Sequence, residues 1–311
     1  YRDRRRQRNV HHQHELEHPG RPARRREHQG QVYRCHKRRW RGGGIICAVV
    51  VSVLLLAPGG SINRIFILVE TPGPLLRIVQ PNIGQQDKHV DSFHAVNFRK
   101  LEQMTGAPGA EPRLILWPEA AVPDYLEEDA GARLRIASLL GPKDVLLTGG
   151  VALEYAADGR VAGARNSVFA LMPDGRLTGR YDKAHLVPYG EYLPMRPVLS
   201  AIGLSRLVPG DIDFWPGPGP RSLAVPGFGK IGFQVCYEMI FSGHVVDRTN
   251  RPEFIFNPSN DAWFGSWGPP QHLAQAQLRA MEEGLPIVRS TPTGISAIID
   301  ATGRVEKALP Y

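Results

Sequence analysis

The feature that most restricts the fold is a regular alternation of short apolar runs with helical segments from about Leu75 onward. Apolar runs of this length, bounded by turn residues, are typical of buried strands. The predicted strands are Leu76–Gln80, Leu114–Trp117, Val145–Thr148, Ile231–Cys236 and Phe254–Asn257, and the predicted helices are Asp87–Met104, Glu128–Leu140 and His272–Gly284. Asp174-Gly175 joins a further pair of runs and is typical of a hairpin turn. The pattern predicts an α/β fold with a mixed sheet and helices on its outside.

The positive charge of the chain is confined to its first 44 residues. Residues 1–44 contain 13 Arg and one Lys against four acids, a formal charge of +10 that exceeds the +8 of the whole chain. The remainder is therefore mildly acidic, at −2, and we expect no nucleic-acid partner for it. Residues 1–44 lack apolar periodicity, which predicts a disordered basic segment, or one foreign to the native protein. An arm that binds RNA or anionic lipid is the alternative.

An apolar segment over residues 45–70 follows the basic segment. Ile45 to Ala57 are thirteen residues without a charge, which as a helix would extend about 20 Å. The hydrocarbon core of a bilayer is about 30 Å thick, so this stretch is short for a spanning helix. We interpret it as the remnant of a membrane helix or as a buried helix. If it spans, the basic residues before it stay cytoplasmic and the folded part lies outside.

The three cysteines of the chain, Cys35, Cys47 and Cys236, are too few for a disulfide framework. They also lack the paired spacing of a zinc site. Because the sequence has neither a metal-ligand cluster nor a glycine loop that would cradle phosphate, it predicts no metal and no cofactor.

Three reactive side chains come just after predicted strands, where open α/β sheets usually build their sites. They are Glu119, Lys183 and Cys236. A Cys at a strand end is placed like a nucleophile, and a carboxylate within reach can take its proton and later return it. An ammonium group beside a reacting carbonyl stabilises the oxyanion. Each residue alone is more often a buried hydrophobe or a solvated charge, so the prediction depends on their convergence.

The sequence around these residues resembles a known family. The matching blocks are Trp117-Pro118-Glu119, Tyr181-Asp182-Lys183-Ala184-His185, Cys236-Tyr237-Glu238, Asn260-Asp261-Ala262-Trp263-Phe264-Gly265 and Gly268-Pro269-Pro270-Gln271-His272. The first three resemble the Glu, Lys and Cys blocks of the nitrilase superfamily, or carbon-nitrogen hydrolases. The last two resemble one branch of it, the apolipoprotein N-acyltransferases. The resemblance predicts a catalytic domain over residues 74–311 that is truncated at its C-terminal end.

This resemblance implies a nitrilase-like four-layer α/β/β/α sandwich and an acyltransferase activity. A fatty acyl chain would pass from a phospholipid to the N-terminal amine of a diacylglyceryl-cysteine lipoprotein, through a thioester on Cys236. Glu119 would be the general base and Lys183 the oxyanion group. Glu191, Tyr237 and Glu238 match positions that support the site. The partners would be the phospholipid donor, the lipoprotein acceptor and a membrane lipid surface.

The family resemblance also implies a location at the bacterial inner membrane, with the catalytic domain on the periplasmic face. A native fragment without membrane helices would instead be soluble. Trp215, Trp263 and Phe264 lie in Gly/Pro-rich stretches and are candidates for lipid binding and water exclusion. The alternative for these aromatic residues is that they form lids packed on the protein's own sheet.

Two other functions are open at this point. The same three residues would serve a soluble amidase of the nitrilase superfamily that hydrolyses a small C–N bond. A chain that acts only through its basic segment would be a non-catalytic adaptor for nucleic acid or anionic membrane, with steeply salt-dependent binding.

Overall fold

The computed structural model describes residues 32–40, 68–88, 90–195, 198, 201, 213–263 and 265–309. In these ranges the strands form two six-stranded sheets. The first sheet contains β1 (Val32–Trp40), β2 (Leu68–Ile78), β3 (Arg113–Leu116), β4 (Val145–Tyr155), β5 (Val161–Leu171) and β6 (Leu177–Asp182). The second contains β7 (Ser222–Val225), β8 (Gly229–Phe233), β9 (Phe254–Pro258), β10 (Ile287–Ser290), β11 (Ala297–Ile299) and β12 (Val305–Ala308).

Both sheets are mixed, with a parallel centre and antiparallel flanks. In the first sheet the strands follow the order β1 to β6, and β2, β3 and β4 are parallel. In the second sheet the order is β12 to β7, and β8, β9 and β10 are parallel. Parallel neighbours need crossover connections, which here carry helices, whereas the antiparallel strands β4, β5 and β6 are consecutive in the chain.

Helices cover the outer face of each sheet. The α-helices are α1 (Gln85–Lys88), α2 (Asp91–Thr105), α3 (Ala130–Ala137) and α4 (Gly268–Glu283). The side chain of Asp129 caps α3 by accepting a hydrogen bond from the Ala132 N–H. Helix α4 begins with two prolines and ends at Gly284, which adopts the left-handed conformation that favours glycine.

Three buried apolar clusters hold the layers together. One lies between the sheets and joins residues such as Leu116 and Tyr181 to Phe233 and Phe256. A second packs α2 and α3 on the first sheet, and a third packs α4 on the second. Because each sheet is apolar on both faces, the layers stack as helix, sheet, sheet and helix. The predicted four-layer α/β/β/α sandwich is confirmed.

The fold differs from the sequence expectations at two places. Residues 32–40, inside the segment expected to be disordered, form β1 and pair antiparallel with β2. A strand at a sheet edge gains backbone hydrogen bonds without needing apolar side chains, which the sequence argument ignored. The second place is β7, a strand that was not predicted and that follows the Gly/Pro-rich stretch around Trp215.

The predicted apolar segment falls mainly on residues that the structure does not describe. Residues 41–67, which include Ile45 to Ala57, lie outside the described ranges, and residues 68–70 belong to β2. Among the helices that the structure describes, none has the length and apolar character needed to cross a bilayer.

Candidate active site

The three side chains predicted to converge lie together between the two sheets. Glu119 follows β3, Lys183 follows β6, and Cys236 comes three residues after β8. The Lys183 Nζ atom is 3.4 Å from Glu119 Oε1, and the Cys236 thiol lies close enough to the Glu119 carboxylate to lower its pKa. All three residues are buried, with Lys183 only 1% exposed. The structure therefore brings a nucleophile, a carboxylate and an ammonium group into one water-poor site.

The turn that carries Glu119 depends on a glycine in the neighbouring strand. Gly149 N–H donates to the Pro118 carbonyl, and Gly149 O accepts from the Ala121 N–H. A Cβ atom at Gly149 would lie 2.6 Å from the Ala120 backbone nitrogen and 2.7 Å from the Glu119 Cα atom. The main chain after β3 can approach β4 this closely only because residue 149 has no side chain.

Glu191 and Asn166 complete a buried polar network around Lys183. Lys183 Nζ donates to Glu191 Oε1 at 3.0 Å, and the Asn166 side-chain amide donates to both Glu119 and Glu191 at 2.8 Å. The second oxygen of Glu191 accepts from the Val187 N–H at 2.8 Å. Glu191 therefore lies where the sequence analysis expected support for the site. Asn166 was not predicted from the sequence, because an asparagine between Arg165 and Ser167 carries no specific signal.

Electrostatics keep Glu119 and Lys183 charged. Burial alone would raise the pKa of Glu119, but Lys183, Lys88 and the hydrogen bonds from Asn166 and Cys236 outweigh it and lower this pKa below its usual value. Burial alone would lower the pKa of Lys183, but Glu119 and Glu191 outweigh it and raise this pKa. Glu119 is thus an ionised carboxylate that can accept a proton from the thiol.

Cys236 opens a short 3-10 helix, Cys236–Ile240, in an unusual backbone conformation. Its φ angle is +48°, a left-handed value that is uncommon for any residue other than glycine and is often found at functional sites. Burial, followed by the Glu119 charge, raises the pKa of the thiol, while Lys183 and the Asn260 N–H act in the opposite direction. The resting group is therefore a neutral thiol that needs a base to become a nucleophile.

Glu238 ties the nucleophile to the segment after Lys183. Its carboxylate accepts hydrogen bonds from the Tyr181 hydroxyl at 2.9 Å, the Ala184 N–H at 2.7 Å and the Val235 N–H at 2.7 Å. Burial outweighs these donors and raises the pKa of Glu238. Tyr237, by contrast, is half-buried, and its ring meets Phe241 edge-on at 5.2 Å. Glu238 is thus built into the site, whereas Tyr237 packs against Phe241.

A second buried hydrogen-bond network contacts the main chain of Cys236. His272 Nε2 is 3.0 Å from the Cys236 carbonyl oxygen, and Arg289 Nη2 is 2.6 Å from Asp261 Oδ2. Burial and the neighbouring Arg289 lower the pKa of His272, which favours the neutral ring. The Nδ1 atom lies 2.9 Å from Asp261 Oδ1 and 3.1 Å from Arg289 Nη2, so the ring is held between the Asp261 carboxylate and the Cys236 carbonyl. The network therefore holds the carbonyl of the strained nucleophile.

A cavity of about 740 Å³ opens beside Glu119. Its walls are mainly apolar, and the charged side chains on them include Glu119 and Lys88. Cys236 is not among the described residues that line it. Lys88 Nζ donates to the Glu119 carbonyl at 2.8 Å. Sequence analysis missed Lys88, because a lysine in a predicted helix normally points into solvent.

The aromatic residues predicted to bind lipid are not part of this cavity wall in the described structure. The ring of Trp215 lies over Gly163, where an added Cβ atom would be 2.4 Å from it, and the residue is 40% exposed. Trp263 is 45% exposed, and Phe264 lies outside the described residues. The described parts of the chain also hold no group of three or more His, Cys, Asp or Glu residues arranged to bind a metal ion.

Comparisons with known proteins identify the family of this chain. The carbon-nitrogen hydrolase family profile matches residues 75–310. Apolipoprotein N-acyltransferase of Rhodopseudomonas palustris is 40% identical over 239 residues, 74% of this chain and 45% of that protein. The enzyme of the same name from Rhizobium meliloti is 36% identical over 283 residues, 88% of this chain and 53% of that protein. The chain thus spans about half the length of these relatives.

A solved structure supports the same fold. Nit3 of Saccharomyces cerevisiae, a member of branch 10 of the nitrilase superfamily, superposes with a TM-score of 0.50 at 18% identity and covers 75% of this chain and 84% of its own. At this identity the likeness concerns the fold alone. Together with the sequence match over residues 75–310, it establishes that the chain belongs to the carbon-nitrogen hydrolase family.

Proposed function

We propose that this chain contains the catalytic domain of an apolipoprotein N-acyltransferase. It would transfer a fatty acyl chain from a phospholipid to the N-terminal amine of a diacylglyceryl-cysteine lipoprotein. The observation that carries the proposal is the buried Cys236–Glu119–Lys183 group next to a mainly apolar cavity of about 740 Å³. The relatives of that name, at 36–40% identity, give the same reaction class.

In the first half-reaction, Glu119 takes the thiol proton while the sulfur of Cys236 attacks the ester carbonyl of the phospholipid. The negative charge that develops on the carbonyl oxygen is stabilised by the Lys183 ammonium group. When the C–O bond breaks, Glu119 returns the proton to the departing glyceryl oxygen. The products are a lysophospholipid and an acyl thioester on Cys236.

In the second half-reaction, the neutral amine of the lipoprotein attacks the thioester carbonyl. Glu119 accepts a proton from the attacking nitrogen, the C–S bond breaks, and the proton passes to the sulfur as the thiol re-forms. Splitting one acyl transfer into two steps replaces a difficult barrier with two lower ones. The thioester must meanwhile be protected from water, and the burial of all three residues favours this.

The supporting roles follow from the contacts. Glu191 shares Lys183 with Glu119 and so orients the ammonium group, and Glu238 connects the chain after Lys183 to the turn at Cys236. Tyr237 is proposed to support the site beside Cys236, and Trp215, Trp263 and Phe264 are proposed to contact the lipid substrates. Because both substrates carry acyl chains, the enzyme would work at a membrane surface, which by the family resemblance is the bacterial inner membrane with this domain on the periplasmic face.

The test is direct detection of the intermediate. Purified protein is mixed with phosphatidylethanolamine vesicles, and the mass of the Cys236 peptide is followed under conditions that preserve thioesters. We expect an acyl adduct on Cys236, lost on hydroxylamine treatment, and none on Cys236→Ser. The peptides of Cys35 and Cys47 serve as internal controls and should stay unmodified.

The soluble amidase is the outcome that would replace this proposal. An unmodified Cys236 in the presence of lipid, together with ammonia release from simple amides that depends on Cys236, would show a hydrolase. Acyl transfer that survives Cys236→Ser would rule out the thioester path altogether.

A further inference from the structure

Lys88 is an ammonium group beside Glu119 that the triad mechanism leaves without a role. It ends the short helix α1, and its Nζ donates to the backbone carbonyl of Glu119 at 2.8 Å. The residue is half-buried, and it lines the cavity together with Glu119. Its charge acts on both the Glu119 carboxylate and the Cys236 sulfur. Even partial burial of an ammonium group costs free energy, so Lys88 needs a compensating interaction.

The charges around Glu119 provide that compensation. The site holds two buried carboxylates, Glu119 and Glu191, whereas Lys183 supplies one positive charge between them. With Lys88 included, two negative and two positive groups balance. A balanced cluster is more stable in a low dielectric than one with an excess charge. An excess negative charge would oppose the formation of a thiolate at Cys236.

We propose that Lys88 is a positioning residue of this active site, which anchors the main chain of Glu119 and supplies the second positive charge needed to generate the thiolate of Cys236. The inference rests on the proposed function in that Cys236 is taken as the nucleophile. It adds a fourth group to the site, acting through Glu119 rather than on the reacting carbonyl.

The proposal predicts a particular pH dependence. Burial lowers the pKa of Lys88 to about 8, against the opposing effects of Glu119 and Cys236. The charge of Lys88 is therefore present below about pH 8 and is lost above it. Among the described residues, the other titratable groups on the same cavity wall are Asp91, His94, Asp124, Tyr125 and Arg135. Lys183, whose pKa is raised, keeps its charge throughout this range.

The experiment measures alkylation of Cys236 by iodoacetamide between pH 6 and pH 10, by mass spectrometry of the Cys236 peptide. Wild type is compared with Lys88→Met and Lys88→Arg in the full chain. At pH 7 we expect Lys88→Met to react about tenfold more slowly, since a neighbouring charge shifts a pKa by about one unit or more. This ratio should shrink above pH 8, where wild-type Lys88 is itself neutral. Lys88→Arg should keep a fast rate to higher pH.

Lys100→Met is the matched control. Lys100 Nζ also donates to a main-chain carbonyl, that of Asn82 at 3.3 Å, but on the surface. We expect this variant to match wild type at every pH.

A wild-type to Lys88→Met ratio that stays constant with pH would indicate a purely structural role and overturn the proposal. So would slower acylation by phospholipid with unchanged alkylation, because Lys88 would then be a contact for the lipid phosphate. If Lys88→Met does not fold, the alkylation rate of Lys88→Arg is compared with that of wild type above pH 8. A rate no faster than that of wild type would then overturn the proposal. If alkylation behaves as expected but no lipid adduct forms, Lys88 keeps its role and the proposed acyl donor is wrong.

Discussion

Two buried ionic groups on the first sheet illustrate different uses of charge. Arg113 and Asp144 form a closed pair: Arg113 Nη2 is 2.6 Å from Asp144 Oδ2, and Asp144 also accepts from the Arg113 and Gly141 N–H groups at 2.8 Å. The guanidinium uses its remaining donors on the carbonyls of residues 105–107. In this pair the carboxylate and the guanidinium satisfy each other, and both side chains are almost fully buried.

The cluster at the active site is built with looser contacts. Lys183 Nζ lies 3.4 Å from Glu119 and 3.0 Å from Glu191, so the two carboxylates share one ammonium group. The neutral thiol of Cys236 is a nearby source of a proton, and a cavity lies beside Glu119. A carboxylate that two cations hold and that also accepts from a thiol can change its protonation state, whereas Asp144 has no proton donor to exchange with. The difference indicates that the Arg113–Asp144 pair contributes to stability, whereas the cluster around Glu119, which lies beside a cavity, is suited to proton transfer.

The sharpest test of this contrast is a pair of matched amide substitutions, of which Glu119→Gln has the larger effect. The amide keeps the shape of the side chain and can still accept from Asn166, but it cannot take the thiol proton. We expect the rate of Cys236 acylation to fall by about 10³-fold or more. The free energy of unfolding should change much less, because Lys183 retains Glu191 as a partner. Single-turnover acylation and urea unfolding measure the two effects.

Asp144→Asn should give the reverse result. It leaves the Arg113 guanidinium buried without a carboxylate, which typically costs about 3–5 kcal/mol of unfolding free energy. Burial alone would raise the pKa of Asp144, but the Arg113 hydrogen bond and the two N–H donors lower it overall. Its stabilisation is therefore present above about pH 4, the usual pKa of Asp, and is lost as pH falls through the folded value. As the pH falls, the unfolding free energy of Asp144→Asn should therefore decrease less steeply than that of wild type.

Equal losses of activity and of stability in both variants would contradict the division into two kinds of charge cluster. The acylation rate of Asp144→Asn, measured at a temperature where it stays folded, should remain within a few-fold of wild type.

Sequence reasoning predicted the layers of the fold and the three reactive residues, for reasons that can be stated. Apolar runs and turn dipeptides report burial and chain reversal directly, so the hairpin at Asp174-Gly175 was predicted correctly. Glu119, Lys183 and Cys236 were selected because they lie in family motifs, and the structure shows that their side chains lie close together. Their catalytic roles stay predictions.

The sequence did not reveal contacts of residues whose type and position carry no motif signal. Lys88 and Asn166 lie 31 and 47 positions from Glu119, and neither belongs to a quoted motif block. His272 is part of a block, but its bond to the Cys236 carbonyl follows only from the packing of α4 on the second sheet. The β1 strand was missed because edge pairing depends on the backbone of the partner strand.

The smallest effect expected concerns the link between Glu238 and β6. Tyr181→Phe removes a buried hydroxyl that donates to Glu238 at 2.9 Å, while the Ala184 and Val235 N–H groups remain. A hydrogen bond to a charged group is worth about 1.5–3 kcal/mol, and the loss should lie at the low end because these donors and the His185 N–H persist. Tyr155→Phe is the matched control, since its hydroxyl donates to Glu128 on the surface. Urea unfolding should separate the two variants, and equal stability would mean that Glu238 draws its support from the main chain alone.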